Sequence, residues 1–317
     1  MFEKGSGFTL KIGCLRIIRP TTFTLLLILI GLMASLRPQR NSATPKVNIQ
    51  AAAATVVLFA ISGEANNYQM DAVTIISGKQ FTAPFTDEQK DKQKTFAERY
   101  FAAGRKYRLM FGGGDAGTVS VKKWSEGCNS VHADVTTTTT AHLGGQVKAL
   151  ATNSESIGKR ASTRRAPNYT ERADIEYLVR DIYTRNGTPR SLLDSIKVTN
   201  LTATDLNGDG NYEMIGSFTL ETKTKLRRDL FLIARPTPPA QLIHGNFIAD
   251  FVKFQTYKLP PEGFASSIDY VDQLDTDGDG IGEVVAVQGG FDAYGYVIFK
   301  KVAGRWGQVY QGIGDAC

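Results

Sequence analysis

The sequence predicts a mainly β protein of antiparallel sheets with a few short helices, carried behind one N-terminal membrane helix. Three observations lead there. Short apolar or alternating runs recur from Thr55 onward, separated by Gly, Asn and Ser. Helical periodicity is confined to two stretches, near Asp87–Ala103 and Thr170–Thr184. An uncharged run, Thr21 to Leu36, lies between Arg19-Pro20 and Arg37-Pro38, the pattern of an export signal or anchor.

The elements follow in order. Residues 1–20 form a basic cytoplasmic segment. The net charge of +6 resides wholly within residues 1–50, where seven basic side chains face Glu3 alone, so the rest of the chain is neutral. A basic total with no aromatic platform around the run Lys159–Arg172 argues against a nucleic-acid partner. Residues 21–36 are the signal anchor or transmembrane helix, although shorter than the roughly 20 apolar residues a span needs. Leu32 to Ala34 offers no small-x-small cleavage site, which favours an uncleaved anchor; cleavage would leave a secreted chain. Positive charge before the span places the later domains outside the cytoplasm, in a periplasm or on a cell surface, with the membrane held through the N-terminal helix. Residues 37–52 are a tether.

A hydrophobic fraction of 42% and a charged fraction of 21% suit folded, soluble domains beyond that tether. Residues 53–152 read as a β-rich domain, with strands at Thr55–Ile61, Met70–Ile76, Tyr107–Phe111, Thr118–Trp124, Ala133–Leu143 and Val147–Ala151. Residues 153–169, polar and basic without an apolar period, read as a linker. Residues 170–317 form a second β domain opened by a helix. Its strands are expected at Ile196–Ala203, Tyr212–Leu220, Leu230–Ala234, Phe247–Tyr257, Ser267–Leu274, Glu283–Gln288, Gly295–Lys300 and Gln308–Gln311, with a hairpin turn at Ala303-Gly304. Cys128 and Cys317 share the exported part, and both a disulfide and two free thiols are open to them.

Within the second domain the sequence repeats itself seventy residues apart: Asp205-Leu-Asn207-Gly-Asp209-Gly-Asn211-Tyr-Glu213 and Asp275-Thr-Asp277-Gly-Asp279-Gly-Ile281-Gly-Glu283. Calcium is a hard cation that takes six to eight oxygens, so carboxylates at alternate positions of one tight loop suit it. Glycines at positions 4 and 6 permit the positive φ that turns those side chains inward. Position 7, Asn211 or Ile281, offers its carbonyl, and position 9, Glu213 or Glu283, closes the site. An EF-hand requires a bidentate Glu at position 12 and flanking helices, whereas Gly216 and Ala286 stand there between strands; a dockerin-type loop fails on the same positions.

Strand, acidic loop closing at position 9, then strand resembles the FG-GAP and VCBS repeats of integrin-like β-propellers, bacterial type, over roughly Ile196 to Cys317. The resemblance implies propeller-blade-like sheets. Since a full propeller needs four to eight blades and only two motifs are visible, a smaller β assembly is the favoured form. It also implies two Ca2+ sites, with ligands at Asp205, Asn207, Asp209, Asn211 and Glu213, and at Asp275, Asp277, Asp279, Ile281 and Glu283.

Other motifs carry less. Gly112 to Gly117 satisfies Gly-x-Gly-x-x-Gly, but a strand follows it where a dinucleotide site needs a helix N-terminus. The functional expectation is therefore an exported, membrane-anchored calcium-binding protein acting as a binding or structural module towards a protein or surface ligand. The alternative is an extracytoplasmic hydrolase, its active site within residues 53–150 and its calcium domain accessory.

Overall fold

Along the first strand, Val57, Phe59 and Ile61 point one way and Leu58 and Ala60 the other, and both sets are buried. A strand apolar on both faces must lie between two packed layers, and that is where the structure puts it. The computed structural model describes residues 55–317 apart from 65–66, 87, 238–245, 260–266, 291–292, 313 and 316–317. Residues Met1–Ala51 separate as a unit of their own, outside the described residues, and Ala52–Cys317 form the other.

The first half is a closed barrel. Its strands are β1 (Val56–Glu64), β2 (Asn67–Ser77), β4 (Lys106–Phe111), β5 (Gly114–Glu126), β6 (Val131–Thr139) and β7 (Ala149–Thr152), with a short β3 (Gln80–Thr82) added outside β2. The spatial order is β1-β7-β4-β5-β6-β2, and β2 pairs back onto β1. Ala60 makes the closure visible: it stands opposite Asp71 on one side and Leu150 on the other. Helix α1 (Lys90–Tyr100) gives Phe96, Ala97 and Tyr100 to the barrel interior, where they meet Phe59, Phe101 and Tyr107. The ring of Phe59 lies 4.8 Å from that of Tyr107. Side chains thus fill the barrel, as is usual for one this narrow.

The second half contributes helix α2 (Tyr169–Arg185) and two antiparallel meanders of four strands. Sheet one runs β8 (Lys197–Thr204), β9 (Glu213–Glu221), β10 (Leu226–Pro236), β11 (Phe247–Lys258); sheet two runs β12 (Ser267–Leu274), β13 (Glu283–Gly289), β14 (Tyr294–Val302), β15 (Arg305–Gln311). Strand alternation sorts their side chains into layers. Met214, Phe218, Leu230 and Leu232 pack under α2, against Ile175, Val179 and Tyr183. Ile215, Phe231 and Ile233 face Val284, Ala286, Val297 and Phe299 across the two sheets, with Phe231 and Phe299 stacked at 5.3 Å. Val271, Val285 and Ile298 on the far side of sheet two cover Leu58, Ala60, Met110 and Leu150 of the barrel. The order of layers is therefore α2, sheet one, sheet two, barrel.

The stretch expected as a linker is stitched into this stack. Arg108 Nη1 donates to the carbonyls of Ser154 and Ile157 at 2.9 Å each. Arg165 and Ala203 exchange backbone hydrogen bonds of 2.9 and 3.0 Å. Arg164, its side chain 3% exposed, lies 3.5 Å from the fully buried Asp272, donates to the carbonyls of Lys148 and Val271, and sits over the rings of Phe111 and Tyr270. Asp272 in turn accepts the Gly112 amide on both oxygens, and burial pushes its carboxyl above the ordinary range although Arg164 pulls it down. Gly112 and Gly113, both at positive φ, are the turn of the β4–β5 hairpin, so Gly112 to Gly117 builds a hairpin.

Two expectations are corrected. The first is the architecture: the first half, expected only as a β-rich domain, is a closed six-strand barrel, because β1 pairs with strands on both sides. The second is the membrane helix. Among the described residues no helix is long and apolar enough to cross a membrane. Helix α1 has 11 residues and α2 has 17, both below the roughly 20 apolar residues a span requires. The stretch Thr21–Leu36 lies outside the described residues. The N-terminal membrane anchor thus has no support in the structure, and neither has the membrane-anchored, extracytoplasmic placement that rested on it.

Candidate metal centre

Each acidic loop joins the first strand of a four-stranded sheet to its second, so the repeat in sequence is a repeat in position. The repetition extends to individual hydrogen bonds. Asp205 Oδ1 and Oδ2 accept the amides of Gly208 and Gly210 at 2.7 and 2.9 Å; Asp275 accepts those of Gly278 and Gly280 at 2.8 and 3.1 Å. Asn207 and Asp277 each accept the amide two residues on, from Asp209 and Asp279. Asp209 and Asp279 do the same for Asn211 and Ile281, at 2.7 and 2.9 Å. Glu213 Oε2 reaches back to the Leu206 amide at 2.9 Å, and Glu283 Oε2 to the Thr276 amide at 2.8 Å. The glycines at position 4 both have φ of 74°, and those at position 6 have 83° and 91°, a conformation open to Gly at little strain.

The two loops lie side by side. Gly282 donates its amide to the Leu206 carbonyl at 2.7 Å. Arg160 rests against both: a Cβ built on Gly208 would stand 3.2 Å from its Nη1, and one on Gly280 3.3 Å from its Nη2. A cleft of about 200 Å³ opens here, lined by Asp205, Asp275, Gln273, Arg160 and the Gly112-Gly113 turn. Arg165 anchors the first loop from outside, clasping Glu171 through two hydrogen bonds of 2.7 Å while its guanidinium lies 4.1 Å from the Tyr212 ring.

Around the second loop, oxygens from Asp275, Asp277 and Glu283 come within 4.8 Å of one another. The donors are all carboxylate oxygens, the kind a hard divalent cation takes, and two of the three, Asp277 and Glu283, already meet a cation of the chain's own. Lys300 Nζ lies 2.7 Å from Asp277, 2.7 Å from Glu283 and 3.1 Å from Asp279. Although burial works against it, these contacts raise the lysine's affinity for its proton. The arrangement fits a positive ion at that point; a metal there would need Lys300 to swing aside. Lys79 adds a contact to Asp277 at 3.3 Å from the exposed side.

The first loop forms no such ion pair among the described residues. Among the described residues, no Lys or Arg forms an ion pair with Asp205, Asp209 or Glu213. Burial, with repulsion from Asp209 and Asp205, pushes Glu213 up to about 7 despite the Leu206 amide. Asp209 is instead held below the ordinary range by the Asn211 amide. Asn207 Nδ2 donates to Asp209 Oδ2 at 3.1 Å, where Asp277 and Asp279 of the second loop share a lysine. Asn211 is exposed and Ile281 packs its side chain into the core between the sheets, so Ile281 offers a cation its carbonyl alone.

Neither a family model, a curated protein nor a solved structure matches this chain. Lys300, Lys79 and Arg160 escaped the sequence reading. Aligning the two loops and continuing through the following hairpin would have flagged Lys300, which lies at the end of the apolar run Val297-Ile-Phe299 just as Arg235 ends Leu232-Ile-Ala234. Cys128 is disulfide-bonded; Cys317 lies outside the described residues, while Asp315 accepts the amide of Asn129 at 2.7 Å beside it.

Proposed function

We propose that this chain is a calcium-binding β protein, working as a structural and binding module through the paired loops Asp205–Glu213 and Asp275–Glu283. The observation that carries the reading is the recurrence of the same backbone-to-carboxylate hydrogen bonds in the two loops, joined at Leu206 and Gly282. Carboxylates gathered at one rim repel one another, and a divalent cation relieves that repulsion. Calcium bound there would fix the ends of β8 and β9 against those of β12 and β13, stiffening the junction of the two sheets. A protein or surface ligand meeting that rim is the partner this reading implies.

Thermal unfolding with calcium and with chelator tests it. For weak sites with Kd of about 10⁻⁴ to 10⁻³ M, calcium at about 10 mM should stabilise by roughly 1.5 to 3 kcal/mol per site. Asp209→Ala and Asp279→Ala together should abolish the response. Superimposable melting curves with calcium and with chelator would sink the proposal.

A further inference from the structure

The two loops are alike in backbone and unlike in charge, and the difference traces to a single register position. In sheet two, Phe299 stands across from Val284, the residue after the closing Glu283, so Lys300 falls opposite that glutamate. In sheet one, Ala234 stands across from Met214, the residue after Glu213, so Arg235 occupies the same place. The two basic side chains then part. Lys300 turns into its loop and contacts three carboxylates. Arg235 turns away and donates to Asp250 Oδ1 at 2.9 Å, an acid on β11 that also holds Lys301. Loop two thus carries four carboxylates and a tethered ammonium, whereas loop one carries three carboxylates that form no ion pair among the described residues, the Arg160 guanidinium resting against both loops alike.

Resting on the calcium reading above, we infer that Lys300 sets the order in which the loops fill: the Asp205 loop takes a divalent cation first, and the Asp275 loop takes one only when Lys300 is displaced. The ammonium and a divalent ion compete for the Oδ2 atoms of Asp277 and Asp279 and the Oε1 of Glu283. A cation entering loop two must break three short contacts and leave Lys300 beside a like charge, while one entering loop one displaces no ion pair. Asp250 is part of the device, since it keeps Arg235 from doing to loop one what Lys300 does to loop two.

Calorimetric titration of calcium chloride into the full chain, Lys300→Gln, Lys300→Arg and Asp209→Asn tests this. The wild type should show a stronger and a weaker event. Asp209→Asn should weaken the stronger one. Lys300→Gln should strengthen the weaker one on the order of tenfold and leave the other alone, and Lys300→Arg, which keeps the charge, should behave as wild type. A weaker event unchanged in Lys300→Gln, or a stronger event untouched by Asp209→Asn, overturns the inference while leaving calcium binding intact. No heat and no shift in melting in any of the proteins overturns the calcium reading, and this inference with it. Terbium emission excited through tyrosine reads the same order without altering Lys300. Tyr212 is position 8 of loop one, so Tyr212→Phe should dim the emission of the first equivalent bound, and undiminished emission overturns the order.

Discussion

Gly282 donates its backbone amide to the carbonyl of Leu206 at 2.7 Å, so two loops seventy residues apart in sequence form one hydrogen-bonded unit. Whatever orders one loop bears directly on the backbone of the other, and the site is best regarded as a pair.

Protonation of the first loop should be visible in its metal binding. Burial, with Asp209 and Asp205 nearby, pushes Glu213 up to about 7 from the ordinary 4.5. The metal-free native state therefore holds that proton more tightly than the unfolded chain does, and its stability contribution is lost as pH rises from about 4.5 to about 7. A cation needs the carboxylate, so calcium uptake at pH 6 should release a proton. Calorimetry at that pH in two buffers of different ionisation enthalpy should give different apparent heats, and Glu213→Gln should remove the difference. Equal heats in the unaltered protein count against the assignment.

Arg164 and Asp272 should be strongly coupled. Removing either leaves a buried charge without its partner, so Arg164→Met should cost about 3 to 5 kcal/mol in urea unfolding. Because Asp272→Asn relieves the stranded carboxylate, the double variant should lose clearly less than the sum of the two single losses. Strict additivity would show that the two groups do not stabilise one another.

Helix α2 should depend on its first turn. Asn168 accepts the Glu171 amide at 2.9 Å and Glu171 returns a bond to the Asn168 amide at 2.8 Å, a complete capping box. Asn168→Ala should lower stability by about 1 kcal/mol, read as a shift in the urea midpoint with an unchanged slope. A midpoint within error of the wild type would mean that the Arg165–Glu171 pair alone holds the helix start.

The disulfide at Cys128 should tie down the tail. Asp315 already lies at the neighbouring Asn129 amide, and Tyr294 donates its amide to the Asp315 carbonyl at 2.9 Å. Peptide mapping without reduction should recover Cys128 joined to Cys317, and reduction should destabilise by about 2 to 5 kcal/mol. A Cys14 partner in the map would contradict this.

Much of the fold was legible because strand alternation is a local signal. The expected strands at Met70–Ile76, Tyr212–Leu220 and Ser267–Leu274 lie within or closely over β2, β9 and β12, and the Ala303-Gly304 turn closes β14 onto β15, with both residues at positive φ. Three-residue β3 has no period to detect. Barrel closure was illegible for a different reason: it depends on Ala60 pairing with Leu150, ninety residues away, and nothing local encodes register over that distance. The same holds for Arg164, which reads as one more charge in a polar stretch until Phe111, Tyr270 and Asp272 close around it. Of the candidate metal centre, the loops were fully spelled out in the sequence. The ammonium inside one of them was not, because Lys300 reaches it across a strand pair.

The last sheet in the sequence is an inner layer in space. Barrel and sheet one touch opposite faces of β12–β15, through Leu58, Met110 and Leu150 on one side and Ile215, Phe231 and Ile233 on the other. While the chain is being made, both of those apolar faces lack their native cover until residues 267–311 have emerged. Synthesis therefore passes through a long stage with two sticky surfaces and no filling, which is when a nascent chain is most prone to aggregate and most in need of a chaperone.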